Sequence, residues 1–224
     1  MSAYTVVIPA YNAAHYIGET LDSLLAQTVP PERIIVVDDG SPDDTASVVV
    51  AHGAPITYVR QDNTGPGGAT TRGMMMVETE LFATVDHDDL WLPRKAELQI
   101  AKLAEDSELA GVFGRVAEFT ADPAAARYEA AYDGWTRATM MIRTSVARAT
   151  GPMVDPPSKL GEVIEWLAIM RENGHRLAML EDTVTLRRLH AGSLTARDRG
   201  ELSRSYLATA RRALERRRAK ADIK

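Results

Sequence analysis

The stretch Ala83-Thr84-Val85-Asp86-His87-Asp88-Asp89 narrows the possible folds of this chain more than any other. An apolar strand that stops on a cluster of carboxylates fits the carboxyl end of a strand in an open α/β sheet, where ligands gather in the crevice outside the sheet. Two acids one residue apart, Asp86 and Asp88, can share a divalent cation. Hard ions such as Mg²⁺ and Mn²⁺ prefer carboxylate oxygens, keep several waters and take further ligands from a substrate's phosphates. Asp-x-Asp alone is a weak signal, because aspartates after a strand also build turns. Asp89 in particular suits the approach to a helix near Pro93.

The chain before this stretch repeats one unit. Thr5-Val6-Val7-Ile8 is a β-branched run stopped by Pro9, as a strand buried on both faces would be. Ile17, Leu21, Leu24 and Leu25 then recur at helical spacing, and the helix must end before Pro30-Pro31. Ile34 to Val37 is a second buried strand, ending in Asp38-Asp39-Gly40-Ser41. Strand, helix and strand make a right-handed crossover unit. A helix from Thr45 to Ala51 and a strand from Ile56 to Arg60 extend the pattern. The loop Asn63-Thr64-Gly65-Pro66-Gly67-Gly68-Ala69 can bring backbone amides close to a phosphate or ribose, or can simply be a turn before the helix that carries Arg72. It lacks the Gly-Lys-Ser/Thr ending of a Walker loop.

Beyond Asp89 the pattern is less regular. The sequence predicts a helix from Pro93 to about Asp106, a strand from Gly111 to Thr120, a flap from Ala121 to Ala131 and a strand from Met140 to Arg143. A helix from Leu160 to Glu172, a strand from Val184 to Leu189 and a basic helical tail from Arg199 follow. The tail carries Arg211, Arg212, Arg216, Arg217, Arg218 and Lys220, a pattern of a solvated helix face, with contact to an anionic membrane or a partner as the alternative.

Composition excludes several classes. A formal charge of −5 gives no basic field for nucleic acid, and the absence of cysteine removes disulfides and zinc-thiolate sites. No signal peptide is visible before the first strand and no run is long enough to span a bilayer, so a cytoplasmic protein is expected.

Taken together, Val7-Ile8-Pro9-Ala10-Tyr11-Asn12, Asp22 to Thr28, Val36 to Thr45 and Val85-Asp86-His87-Asp88-Asp89-Leu90-Trp91-Leu92-Pro93 resemble the family 2 glycosyltransferases of the GT-A fold. The resemblance implies a Rossmann-like, mostly parallel sheet flanked by helices in a single domain. In it residues 1–90 form the nucleotide-sugar-binding half, 91–195 the acceptor-binding half and 196–224 a basic C-terminal helix. It implies an inverting enzyme that uses a nucleotide-diphosphate sugar, with a uridine donor first, together with Mn²⁺ or Mg²⁺ and an acceptor of unknown class: a saccharide, a peptide or a small molecule. Pro9, Tyr11, Asp38, Asp39, Gly67, Arg72 and Asp86 would hold the donor, while Asp88, Asp86 and His190 would hold the metal. The family's usual Glu-Asp pair, with aspartate as catalytic base, reads Glu162-Val163 here, which leaves Glu162 or Glu165 to accept the proton. Two other readings stay open: a nucleotide-sugar-binding protein that has lost catalysis, and a nucleotidyltransferase, for which no glycine-rich, lysine-containing loop follows the first strand.

Overall fold

Every residue of the first strand, β1 (Tyr4–Ala10), is buried, and its side chains divide strictly by parity. Val6 and Ile8 join one apolar cluster and Val7 the other, while in β2 (Arg33–Asp38) Ile34 and Val36 face the first and Ile35 and Val37 the second. This is the two-residue period of a strand covered on both faces. One cover is α1 (Ile17–Leu25), which buries Ile17, Leu21 and Leu24; the other is α3 (Pro66–Met75), which buries Ala69 and Met74. Helix α2 (Thr45–Ala51) and strands β3 (Ile56–Arg60) and β4 (Leu81–Thr84) complete a parallel block in the order β3-β2-β1-β4, with Val6 opposite both Ile34 and Ala83. The computed structural model describes residues 2–53, 56–156 and 161–190, with Gly192 and part of a helical tail between 207 and 218.

The same sheet continues into the second half without a break, because β4 pairs directly with β8 (Met141–Arg143). The full order is β3-β2-β1-β4-β8-β6-β9-β5, where β5 is Leu90–Trp91, β6 is Leu109–Phe119 and β9 is Arg176–Arg188. A short β7 (Tyr132–Gly134) pairs with β6. The expected parallel sheet therefore holds for the first four strands and turns mixed after them: β8 is antiparallel to both neighbours, β5 is antiparallel to β9, and β6 and β9 are parallel with three register shifts. Those irregularities bend the pair.

The sequence predicts β9 only from Val184. Its earlier residues, Leu177-Ala178-Met179-Leu180, have helical preferences and become strand by pairing with the preformed β6. The two-residue β5 and three-residue β7 carry no periodicity to read. The segment after β6 is held rather than loose: it folds into 3₁₀ turns at Pro123–Ala125 and Tyr128–Ala130, and Arg127 N donates to Glu118 O at 3.0 Å.

Helix α4 (Lys95–Glu105) carries a fully buried lysine. Lys95 Nζ donates to Gln99 Oε1 at 2.6 Å and lies 3.7 Å from the centre of the Trp91 ring. Gln99 Nε2 donates in turn to the carbonyls of Val112 and Thr139. Burial pushes the Lys95 amine well below the usual lysine range. Helices α5 (Thr144–Thr150) and α6 (Glu162–Glu172) close the second half, and Gly161, with φ of 90°, begins α6 in the left-handed region that favours glycine. Val163, Trp166, Leu167 and Met170 of α6 fill the second apolar cluster.

The described tail residues are helical and dock on α6. Arg212 Nε donates to Glu165 Oε2 at 2.6 Å, and Arg216 reaches Glu165 Oε1 at 2.7 Å and Glu172 Oε2 at 3.1 Å. These two arginines thus belong to an intramolecular contact and not to a solvated face. Leu160, Arg199, Arg217 and Lys220 lie outside the described residues. Among the described residues no helix is long and apolar enough to cross a membrane.

Candidate functional site

The carboxyl edge of the parallel block is laced together by its own loops. After β1, Pro9 is buried, the Tyr11 ring is half exposed, and Asn12 takes φ of 53°. Three successive amides then donate into the loop after β2: Asn12 N to Ser41 Oγ, Ala13 N to Thr45 Oγ1 and Ala14 N to Asp43 Oδ2, at 2.9 to 3.0 Å. Asp38 is buried at the end of β2 and accepts from Ser41 N at 2.8 Å, Arg60 Nη1 at 3.0 Å and the Tyr58 hydroxyl. Burial alone would raise its pKa, but the Ser41 and Tyr58 hydrogen bonds and the Arg60 charge outweigh it and hold the carboxyl below its ordinary range.

Asp39 organises the glycine-rich loop. Its Oδ1 accepts from Gln61 Nε2 at 2.7 Å and Thr64 N at 2.9 Å, and its Oδ2 from Gly65 N at 2.8 Å. A carboxylate oxygen has two acceptor directions, so Oδ2 keeps one beyond the Gly65 bond.

The amides that the sequence offers to a phosphate are already engaged. Asp155, from the segment between α5 and α6, places its carboxylate on the N-terminus of α3, accepting from Gly67 N at 2.8 Å and Gly68 N at 3.1 Å. An anion there answers both the unpaired amides and the helix dipole. The same carboxylate explains the glycines, since a Cβ on Gly65 would lie 2.6 Å from Asp155 Oδ2 and one on Gly67 2.9 Å from it. Gly67 thus meets an internal carboxylate where the sequence points to a bound ligand. Arg72 lies on the same helix, exposed.

The turn after β4 is rigid. Asp89 N donates to Asp86 O at 3.1 Å, and Thr20 Oγ1 of α1 donates to the carbonyls of His87 and Asp89 at 2.8 and 3.0 Å. Asp89 is buried and accepts from Arg188 N at 3.0 Å. Burial, reinforced by the charges of Asp88 and Asp86, raises its pKa well above the ordinary range. Arg188 completes the clamp, with Nε on Asp88 O at 3.1 Å, Nη2 on Glu19 Oε2 at 2.6 Å and its guanidinium over the rings of Tyr16 and Phe119. The end of β9 is thereby fixed against the acidic turn, and His190 Nε2 comes to 2.8 Å from Asp88 Oδ2.

Asp88 and His190 fit a hard divalent cation. Adjacent ligands of an octahedral ion of about 2.1 Å bond length stand about 3.0 Å apart, close to the spacing of these two atoms. Among the described residues no group of three or more such side chains gathers, and the His190–Asp88 contact is a hydrogen bond as it stands, so the two would hold a cation only with further oxygens from water and phosphate. Asp86, expected at the metal or donor, has its Oδ1 on Arg137, which donates from Nε at 3.0 Å and from Nη2 at 2.8 Å.

Arg137 also donates through Nη1 to Glu162 Oε1. Glu162 is buried, and burial outweighs the Arg137 charge, raising its pKa above the ordinary glutamate range. Burial thus outweighs the dipole at the N-terminus of α6, which by itself favours the ionised form. Glu165 differs: the hydrogen bonds and charges of Arg212 and Arg216 overcome its partial burial and lower its pKa. Val163 packs in the core between them.

Sequence reasoning missed Arg137, Asp155 and the clamping role of Arg188. Only Arg188 carried a signal, as part of Arg187-Arg188-Leu189-His190; the other two are isolated charges whose partners are distant in sequence.

Comparisons with known proteins converge. The family model described as glycosyl transferase family 2 matches residues 5–160. An uncharacterized glycosyltransferase of Rickettsia typhi is 43% identical over 96 residues, covering 43% of this chain and 30% of the relative. The chain thus spans less than a third of the length of the curated relatives it matches first. In structure, TarS 1–349 of S. aureus in complex with UDP-GlcNAc superposes with a TM-score of 0.72 at 19% identity, covering 93% of this chain and 65% of that one. The mannosyltransferase PcManGT from Pyrobaculum calidifontis, in complex with GDP-Man and Mn²⁺, gives 0.68 at 19% identity, covering 87% and 59%. At these identities the likeness establishes the fold, GT-A.

Proposed function

This chain belongs to glycosyl transferase family 2, and on that premise we propose that it transfers a sugar from a nucleoside-diphosphate donor, a uridine one, to an acceptor hydroxyl with inversion. The observation that carries this proposal is the 2.8 Å approach of His190 to Asp88, across 102 residues, two positions along the turn from the Asp86 that Arg137 joins to Glu162. It gathers a donor set for a diphosphate-bound cation and a buried carboxylate at one edge of the sheet.

Tyr11, half exposed two residues beyond the buried Pro9, offers a ring for stacking on the base. The open direction of Asp39 Oδ2 accepts a base N–H, Asp38 fixes the loop from below, and Arg72 supplies a cation for the phosphates. Gly67 contributes by holding Asp155, which fixes the glycine-rich loop. Asp88 and His190, with Asp86, would hold Mn²⁺ or Mg²⁺, and such an ion, when bound, offsets the charge that develops on the departing diphosphate.

Glu162 takes the acceptor's proton. Its raised pKa makes it a stronger base than a solvated glutamate, whereas Glu165 is committed to the tail arginines and is the weaker base. Val163 has no proton acceptor at the position where the family's base stands, and this favours a second reading as a donor-binding protein without turnover.

One panel separates the two. Uridine and guanosine diphosphate sugars are offered with Mn²⁺, and thermal shift and release of nucleoside diphosphate are followed. A shift with release, water taking the sugar in place of the acceptor, supports a catalytically competent transferase, a shift without release supports binding alone, and no shift with any donor overturns both.

A further inference from the structure

Arg137 is anchored before it reaches the site. It begins a 3₁₀ turn, Arg137–Thr139, between β7 and β8. Its carbonyl accepts from Thr84 Oγ1 at 2.7 Å, so the root of the side chain is tied to the strand that delivers Asp86. The guanidinium is 11% exposed and carries Asp86 on one side and Glu162 on the other. Burial alone would lower its pKa, but the charges of Asp86, Glu162 and Asp155 outweigh it and keep it fully protonated.

We propose that Arg137 is a positioning residue that sets the donor-side acid Asp86 and the acceptor-side base Glu162 as one unit. The proposal rests on the roles given above to those two carboxylates. A guanidinium presents its N–H groups in a rigid planar fork, so the direction of each bond fixes the direction of the others. Here the fork takes Asp86 Oδ1 and Glu162 Oε1, leaving Asp86 Oδ2 and Glu162 Oε2 outside it. Residues 25 and 51 positions away along the chain are thereby held by a single planar group. Without it Asp86, Glu162 and Asp155 would be three carboxylates in a part-buried site, which separate or take up a proton. Lysine would keep the charge and lose the fork, because an ammonium is a point charge on a flexible stem.

Arg137→Lys is therefore the discriminating variant, with Arg137→Gln beside it; if the glutamine variant does not fold, the lysine variant decides alone. The first readout is calorimetric binding of UDP in the presence of Mn²⁺. Arg137→Lys is expected to weaken it about 10-fold, as loss of a partner that orients a ligating carboxylate does, and to add nothing when Asp86 is already Asn. The second is turnover of the donor that the nucleotide-sugar panel selects. There kcat is expected to fall about 100-fold, the scale of a misplaced catalytic group, with KM nearly constant and no further loss in a Glu162→Gln background. A merely structural arginine would lower the folded fraction and leave the losses multiplicative.

If Asp86→Asn weakens UDP binding while Arg137→Lys leaves it at the wild-type value, the proposal is overturned. If Asp86→Asn itself binds UDP normally, Asp86 is not at the donor and the proposal goes with it. If Glu162→Gln turns over normally, the base assignment fails by itself and the binding readout decides the Asp86 arm; that readout also decides alone if no donor turns over.

Discussion

Two regions of this molecule hold their buried charge in opposite ways. At the end of β2 the acids are satisfied largely by the turns that follow, Asp38 by Ser41, three residues on, and Asp39 by the loop that ends at Gly65. Around the turn after β4 they are satisfied across the chain, Asp86 and Glu162 by Arg137 and Asp88 by His190 from 102 residues away. Backbone amides hold an anion wherever the local turn forms, and salt hardly weakens them. An arginine fork across the sheet exists only after the sheet has closed. The first arrangement builds a rigid cradle, and the second assembles working groups that must come from different elements.

The largest expected effect breaks the cross-chain arrangement alone. Glu162→Gln should lower turnover about 10²–10⁴-fold with UDP affinity intact, the usual range for a lost general base. The base works when deprotonated, and the Glu162 pKa is raised, so the wild-type kcat should decline on acidification at a higher pH than the about 4.3 of a free glutamate. Steady-state rates between pH 4 and 8 check this, and the limb should vanish in the Gln variant.

Next in size, Asp88→Ala should weaken Mn²⁺-dependent UDP binding about 10–100-fold while melting at nearly the same temperature. Chelated wild-type protein should behave the same way in calorimetry; wild-type affinity in excess chelator would remove Asp88 from the metal.

Asp38→Asn sharpens the other arrangement, at the end of β2. Hydrogen bonds to a charged group contribute about 1.5–3 kcal/mol, and that amount should be lost in chemical denaturation at pH 7. The folded pKa is lowered, so the contribution is present above the unfolded value of about 3.9 and disappears as pH falls through the folded one. Wild type and variant should therefore converge below about pH 4. The smallest effect belongs to Arg216→Ala, whose partly exposed pairs contribute about 1 kcal/mol or less and less still in high salt. Melting curves at two ionic strengths test it.

The same contrast decides what could be read from residues alone. Val6 to Ile8 and Ile34 to Val37 announce strands covered on both faces because their burial is continuous, and the acids behind them follow from chain direction. Asp88 and His190 each stood out through their flanking motifs, and tertiary closure brings them within hydrogen-bonding distance. Arg137 and Asp155 were not, since a single charged residue has no period and its partner is set by tertiary closure. The glycines of 65–68 were visible, but their reason was not: what approaches Gly65 and Gly67 is Asp155 from 90 and 88 residues later in the chain. The first eight residues of β9 were hidden for a related cause, being made strand by β6 against their own preference.

The buried amine of Lys95 has a use outside the reaction. The chain has only five lysines, and Lys102, on the same helix, is open to solvent while Lys95 is sealed beneath Trp91. An amine-selective acylating reagent should therefore modify Lys102 within the native state and reach Lys95 only when α4 lifts from the sheet. Burial is what depresses the Lys95 pKa, so once uncovered the amine reacts as an ordinary solvated lysine, with Lys102 as its internal reference. Its acylation rate, read by mass spectrometry of the peptide that carries it, is then a clock for core opening.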